Sequence, residues 1–424
     1  MNVKSKKSIC LSLIIAGTNL AFFSTSFAQT SDSLQLKELE KRLNSVELAN
    51  NFKVSGYFQG QFQWGENAAA LKVGAPNSDP EKSFNRLGIR RGRLKFTMEK
   101  SITTAVFQVD LTEKGLGVKD AYLQIKDGNR TASALKVGLF NRPFGYEIER
   151  SSSARESPER SMIVSNLFPE ERDLGALISL HSRQESKWNF IKLDLALMAG
   201  NGIKQDIKNR KDFVSHLSFK AINKEKITAN AGLSYYRGGV YQSTPNIYKL
   251  VNQSFVLESD SAHIGSYAKR EYWGADAQLA WKNNWGNTLI QSEWITGTQP
   301  GEQNSTKSPN SSSISGSDLY IRNFMGAYIS FVQNWKGSPL ATVIKLDWYD
   351  PNQKISKNEV GMNGTGKADL SYTTLGGGLL WNINKNLRAT AYYEKVWNEK
   401  TAMLPSYSKD IKDDVLTIRL QYKF

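Results

Sequence analysis

From Phe52 to the carboxyl terminus the chain alternates apolar and polar residues. Phe52, Val54, Gly56, Phe58, Gly60, Phe62 and Trp64 fall on one side of the first such segment, and Lys53, Ser55, Tyr57, Gln59, Gln61 and Gln63 on the other. A period of two sends successive side chains to opposite faces of a β-strand. Sixteen segments carry the pattern: 52–64, 88–98, 104–111, 118–126, 134–141, 174–181, 188–199, 213–221, 227–236, 271–282, 287–296, 323–333, 340–349, 371–382, 387–397 and 414–424. Such lengths suit the roughly 9 to 11 residues of a membrane-crossing strand better than the five or six usual in soluble sheets. Connections alternate too. "EKSITT", "DGNRTAS", "HSRQESK", "INKEK", "NNWGN", "NWKGSP" and "INKN" are short, whereas 142–173, 237–270 and 297–322 are long and rich in Ser, Asn, Gly and Pro; only 112–117 breaks the contrast. An even number of tilted strands with short turns at one rim and long loops at the other predicts an all-β fold, a 16-stranded antiparallel transmembrane β-barrel.

The first fifty residues differ. Lys4, Lys6 and Lys7 precede an apolar stretch from Ile9 to Phe23, and Ser26-Phe27-Ala28 supplies small residues at the cleavage positions, so 1–28 reads as a secretory signal peptide. Within 29–50, Leu36, Leu39, Leu43 and Val46 recur at spacings of three and four, predicting a short amphipathic helix of coiled-coil type over 34–46, or a solvated linker helix. The barrel then occupies 51–424. The single cysteine, Cys10, lies in the signal, so the mature chain has neither disulfides nor thiol chemistry. The formal charge of +15 becomes +12 once Lys4, Lys6 and Lys7 are removed. Export excludes nucleic acid as its partner, leaving lipid or small anions.

Where the charges point decides between these. In "GIRRGRLKF" (88–96) Leu94 and Phe96, with Met98, share one face, and Arg91, Arg93 and Lys95 the other. A charge costs about 2–4 kcal/mol at the bilayer midplane, so these cations face a water-filled lumen. Strict alternation turns Arg90 toward lipid, from where it could reach water only near the rim. Applied throughout, the rule turns Lys53, Arg91, Arg93, Lys95, Lys126, Lys136, Lys192, Lys220, Lys282, Lys345, Arg388, Arg419 and Lys423 inward, 13 cations, against seven acids, Asp110, Asp120, Asp194, Asp276, Glu293, Asp347 and Glu394. Such a lumen attracts anions. In "DVLTIRLQYKF" the apolar face Leu416, Ile418, Leu420, Tyr422 and Phe424 ends on an aromatic carboxyl terminus. Tyr422 and Phe424 read as the insertion signal for the barrel-assembly machinery.

"RRGRLKF" (90–96), "VKDAYL" (118–123), "VGLFNRPFGYE" (137–147), "PERS" (158–161) and "ERDLG" (171–175) resemble the N-terminal half of the phosphate-selective porin O and P family of bacterial outer membranes. The resemblance covers most of 52–200 in motif detail and the rest in layout. It implies a homotrimer of sixteen-stranded barrels, each narrowed by an inward-folded third loop, conducting anions and favouring phosphate. Arg90, Arg91, Arg93, Lys95 and Lys136 are the candidate anion-binding and pore-lining residues, with Arg150, Arg155 and Arg160 from the loop 142–173. That loop also carries Glu147, Glu149, Glu156, Glu159, Glu170, Glu171 and Asp173, so its arginines serve either as anion ligands or as salt-bridge partners pinning it to the wall.

Other classes fit less well. His181, His216 and His263 belong to no nucleophile or metalloprotease motif, and "GGG" at 376–378 lies within a strand, a close-packing feature rather than a phosphate loop. No enzyme, metal or cofactor is expected. A general or sugar-conducting porin is the nearer alternative, with inward Tyr57, Tyr122, Tyr272, Tyr328 and Tyr349 as an aromatic track.

Overall fold

The computed structural model describes residues 51–128, 132–207, 209–310 and 316–424, with Lys37, Glu38 and Lys41. Of the helix expected over 34–46, those three residues are helical and exposed; its apolar positions and the signal peptide lie outside the described residues. The N-terminal unit ends at Asn51 and the barrel unit runs from Phe52 to Phe424.

Among the described residues, eighteen strands belong to one sheet, and sixteen close it into an antiparallel barrel. In chain order these are β1 (Phe52–Gly65), β2 (Phe84–Lys100), β3 (Thr103–Thr112), β4 (Gly115–Lys126), β5 (Ala134–Asn141), β6 (Arg172–His181), β7 (Ile191–Met198), β8 (Asp212–Asn223), β9 (Ile227–Tyr241), β12 (Tyr267–Asn283), β13 (Gly286–Gly301), β14 (Leu319–Trp335), β15 (Leu340–Asp350), β16 (Tyr372–Asn382), β17 (Leu387–Asn398) and β18 (Val415–Lys423). Pairing of β1 with β18, from Tyr57↔Lys423 to Gly65↔Val415, closes the ring. The Phe424 N–H donates to the Gly56 carbonyl (3.0 Å), the Phe424 carbonyl accepts from the Gly56 N–H (3.1 Å), and a side chain at Gly56 would collide with the Phe424 ring.

The other two strands, β10 (Asn246–Val251) and β11 (Ser254–Ser259), lie within the long connection 237–270, where alternation marked no strand. They form a hairpin whose turn residues Asn252 and Gln253 both have positive φ, as a two-residue primed turn requires. β10 lies parallel to β14, and Tyr248 stacks on Tyr320 at 4.4 Å. β2, β12, β13 and β14 also run beyond their expected ends toward the long-loop rim, to 16 or 17 residues. There both faces leave the apolar slab, and alternation no longer marks the strand.

The outer face is lipid-compatible. Phe58, Leu94, Met98, Phe107, Leu123, Val137, Ile178, Trp273, Trp294, Ile344, Leu379, Ile418, Leu420 and Tyr422 are exposed on it. The glycine triplet does what close packing requires: Tyr392 lies across Gly376 and Gly378, where any Cβ would meet its ring, while Gly377 faces open space. No described helix is long and apolar enough to cross a membrane; this barrel crosses with strands.

Candidate functional site

The connection between β5 and β6 turns into the barrel and packs on its inner wall. Phe144, Ile148, Ile163, Val164, Leu167 and Phe168, several of them on the short helix Met162–Leu167, join inward residues Leu177, Ala196, Met198, Val214, Tyr236, Tyr272, Ile295, Phe324 and Tyr349 in one buried apolar cluster. Phe168 meets Phe144 at 5.1 Å and Tyr272 at 5.8 Å, and Tyr272 meets Phe324 at 5.1 Å. This corrects the aromatic track. Tyr57, Tyr272, Tyr328 and Tyr349 are buried, and only Tyr122 stays partly open.

Wall carboxylates fasten the loop's backbone. Glu293 accepts from the N–H groups of Tyr146 (3.3 Å) and Glu147 (3.0 Å). Gly145, at φ +62°, has no room for a Cβ beside that carboxylate. Glu147 in turn accepts from Ser161 through N–H (2.9 Å) and Oγ (2.6 Å) and pairs with Lys345 (2.6 Å). Asp347 accepts from the Met162 N–H, and Arg142 pairs with Asp173 at 3.0 Å. Farther round the wall, on β1, β17 and β18, Tyr57 Oη bonds Ser152 Oγ (2.5 Å), and Arg388 and Gln421 donate to the Ser153 carbonyl. The loop is therefore fastened at several points around the barrel. A cavity of about 580 Å³ lies on its long-loop side, lined in part by Arg90, Arg91, Glu159, Arg160, Glu171 and Glu394. One of about 290 Å³ lies on its short-turn side, with Tyr146, Glu149, Lys192, His216, Lys220 and Asp276.

The cations concentrate where the loop meets β2, β3, β4 and β18. Arg90 faces inward, against strict alternation, because a β-bulge interrupts the β1–β2 register: Gln59 pairs with Arg91 and Gly60 with Ile89. A bulge sets two residues against one and turns both toward the same side. Arg90 then makes a two-pronged contact with Glu159, Nε to Oε1 at 2.8 Å and Nη2 to Oε2 at 2.7 Å. Arg419 Nη2 reaches the same Oε1 at 2.8 Å, and Arg91 Nη2 lies 3.8 Å from Oε2. Arg93 pairs with Asp110 at 3.0 Å over the Tyr57 ring, so acids from β3 and the loop oppose a row that has none on its own strand face. Lys95 is half-buried, and Lys136 sits over the rings of Tyr122 (4.8 Å) and Phe140 (5.3 Å).

The loop arginines divide. Arg150 pairs with Glu156 and Arg160 with Glu171; Arg172, opening β6, bridges Asp120 and Glu171 at 2.8 Å each. These are the pinning partners. Arg155 differs: it is 3% exposed, and none of its three side-chain nitrogens has a hydrogen-bond partner. Burial and the nearby Arg160 guanidinium push it down to about 9. Glu159 shows the opposite balance. Burial alone would raise its pKa, but Arg90, Arg91 and Arg419 hold it well below the usual carboxylate range.

Strand alternation missed one further cation. The β3–β4 register shifts between Gln108↔Asp120 and Val109↔Val118, and the skipped residue, Lys119, has Glu171, Arg93, Arg172 and Asp110 as charged neighbours. Around this junction Arg90, Arg91, Arg93, Lys119, Arg155, Arg160, Arg172 and Arg419 stand against Asp110, Asp120, Glu147, Glu159, Glu171 and Glu394, eight cations to six acids. The histidines lie elsewhere: His216 bonds Asp276 at 3.1 Å, His181 meets the Asn189 carbonyl and His263 that of Pro245.

No protein-family model and no curated protein sequence matches this chain. Solved structures do. OprB of Pseudomonas putida aligns with a TM-score of 0.57 at 9% identity, over 89% of this chain and 96% of its own. An anion-selective porin from Comamonas acidovorans aligns at 0.52 and 9%, over 88% and 99%. OmpT, an outer membrane protein of Vibrio cholerae in its trimer form, aligns at 0.50 and 11%, over 88% and 99%. At such identities the likeness establishes the fold, a barrel of the kind that spans bacterial outer membranes.

Proposed function

We propose that this barrel is an outer-membrane diffusion channel that selects small anions, phosphate and polyphosphate among them. The observation that carries the reading is the excess of cations over acids where the loop narrows the lumen. An anion in the larger cavity meets Arg90 and Arg91 in a cleft whose protein walls concentrate the field. Guanidinium N–H groups replace part of its hydration shell, and the fixed acids keep each contact weak enough for release. Arg90, Arg91, Arg93, Lys95, Lys136 and Arg155 supply the attraction; Arg150 and Arg160 act mainly by holding the loop. The anion selectivity of the Comamonas porin supports this choice, and four of the five tyrosines a sugar path would need are covered.

Phosphate preference follows from planar forks that donate two parallel hydrogen bonds to an oxyanion. In planar bilayers, added phosphate is expected to inhibit chloride current through the wild-type channel. Anion preference without such inhibition would leave a general anion porin.

Assembly belongs to the same proposal. Residues 1–28 direct export, and the closing strand with Tyr422 and Phe424 is read by the barrel-assembly machinery. Deleting Phe424 removes both of its backbone bonds to Gly56 and should lower the yield of heat-modifiable barrel; normal insertion would refute that role. The barrels pack as a homotrimer through their apolar outer faces, an arrangement that a monomeric mass in light scattering would oppose.

A further inference from the structure

We propose that Glu159 is a tethered anion: its carboxylate occupies the arginine fork that a permeating oxyanion takes, and competition between them sets how weakly the pore holds its cargo. This rests on the anion-channel reading above. The geometry is that of a bound oxyanion. Arg90 grips both carboxylate oxygens at 2.7 and 2.8 Å, Arg419 adds a contact at 2.8 Å, and Arg91 closes the third side at 3.8 Å. A purely structural pin needs one arginine. Here three guanidinium groups, from β2 and β18, surround a single negative charge, and the unpartnered Arg155 has Glu159 among its charged neighbours.

The carboxylate is also delivered on a short, fixed segment. Arg419 Nη1 donates to the Pro158 carbonyl at 2.9 Å, and Ser157 Oγ to the Glu159 carbonyl at 2.9 Å. The backbone thus stays docked whether or not the side chain holds the fork. A doubly charged oxyanion with three or more oxygens can also engage Arg91, which the carboxylate leaves at 3.8 Å, and it brings twice the charge. Chloride has no fork to offer and competes poorly. The substrate class is therefore the multivalent oxyanion, and Glu159 keeps its affinity low by holding the site most of the time. A site available only fractionally binds more weakly by that fraction.

The test measures the phosphate concentration that halves chloride current through the full-length channel in planar bilayers. Glu159→Gln keeps size and removes charge; its half-inhibiting concentration should fall roughly tenfold, corresponding to a fork open about a tenth of the time. Glu159→Asp keeps the charge on a shorter reach and should give a smaller fall, which keeps the question answerable should the glutamine variant assemble poorly. Inhibition that is unchanged or weakened in a variant forming normal heat-modifiable barrels would make Glu159 a structural pin and overturn the proposal. A wild-type channel preferring cations would instead sink the anion-channel reading beneath it.

Discussion

Replacing Arg91 and Arg93 together with alanine is expected to move the reversal potential in a salt gradient strongly toward zero while the barrel still inserts. Alternate residues on one strand face lie about 7 Å apart. That is within the Debye length of about 8 Å at physiological salt, so the two potentials overlap along the path. One unit charge at that distance contributes roughly 0.6 kcal/mol in bulk water and about 2.4 kcal/mol at an effective dielectric of 20. The lumen beside the loop lies between these limits, which makes each arginine worth about threefold to fiftyfold in relative anion permeability. Losing both also strips Asp110 of its partner and Glu159 of one neighbour, so the residual field turns less favourable still. Insertion should survive, because Leu94 and Met98 on the outer face are untouched. An unchanged reversal potential would place the selectivity elsewhere.

The second large effect concerns the loop. Phe144→Ala with Phe168→Ala should raise single-channel conductance several-fold and lower selectivity. Both rings are at least 99% buried and touch each other at 5.1 Å in the cluster that holds the loop to the wall. Truncating a buried phenylalanine costs about 3–5 kcal/mol, and two neighbours will not add fully. The loss falls on loop docking, because the barrel's own ladders run strand to strand without these residues. An undocked loop carries Glu159, Arg155 and Arg160 away from the arginine wall. Unaltered conductance in the double variant would show that the loop is not the constriction.

Much of this was legible in the sequence because strand faces are a local property. Arg91, Arg93, Lys345 and Arg419 follow from alternation alone, and the sixteen barrel strands follow from alternation and connection lengths. What escaped depends on partners distant in the chain. Arg90 and Lys119 turn inward at bulges, which exist only relative to a neighbouring strand; the adjacent pair Arg90-Arg91 was the available signal, since a cation facing lipid is costly. Arg90 meets Glu159 across 69 residues and Arg419 meets it across 260, so no window of sequence contains the site. The tyrosines were placed on the correct face, but which inward residues the loop covers is settled by apolar packing against Phe144 and Phe168.

The central claim is that the cation excess beside the loop makes this an anion channel. Its most direct test is the sign of the zero-current potential of the wild-type protein in a planar bilayer between two potassium chloride concentrations. An anion channel gives the sign set by chloride moving down its gradient; the sign set by potassium would rule out anion selectivity.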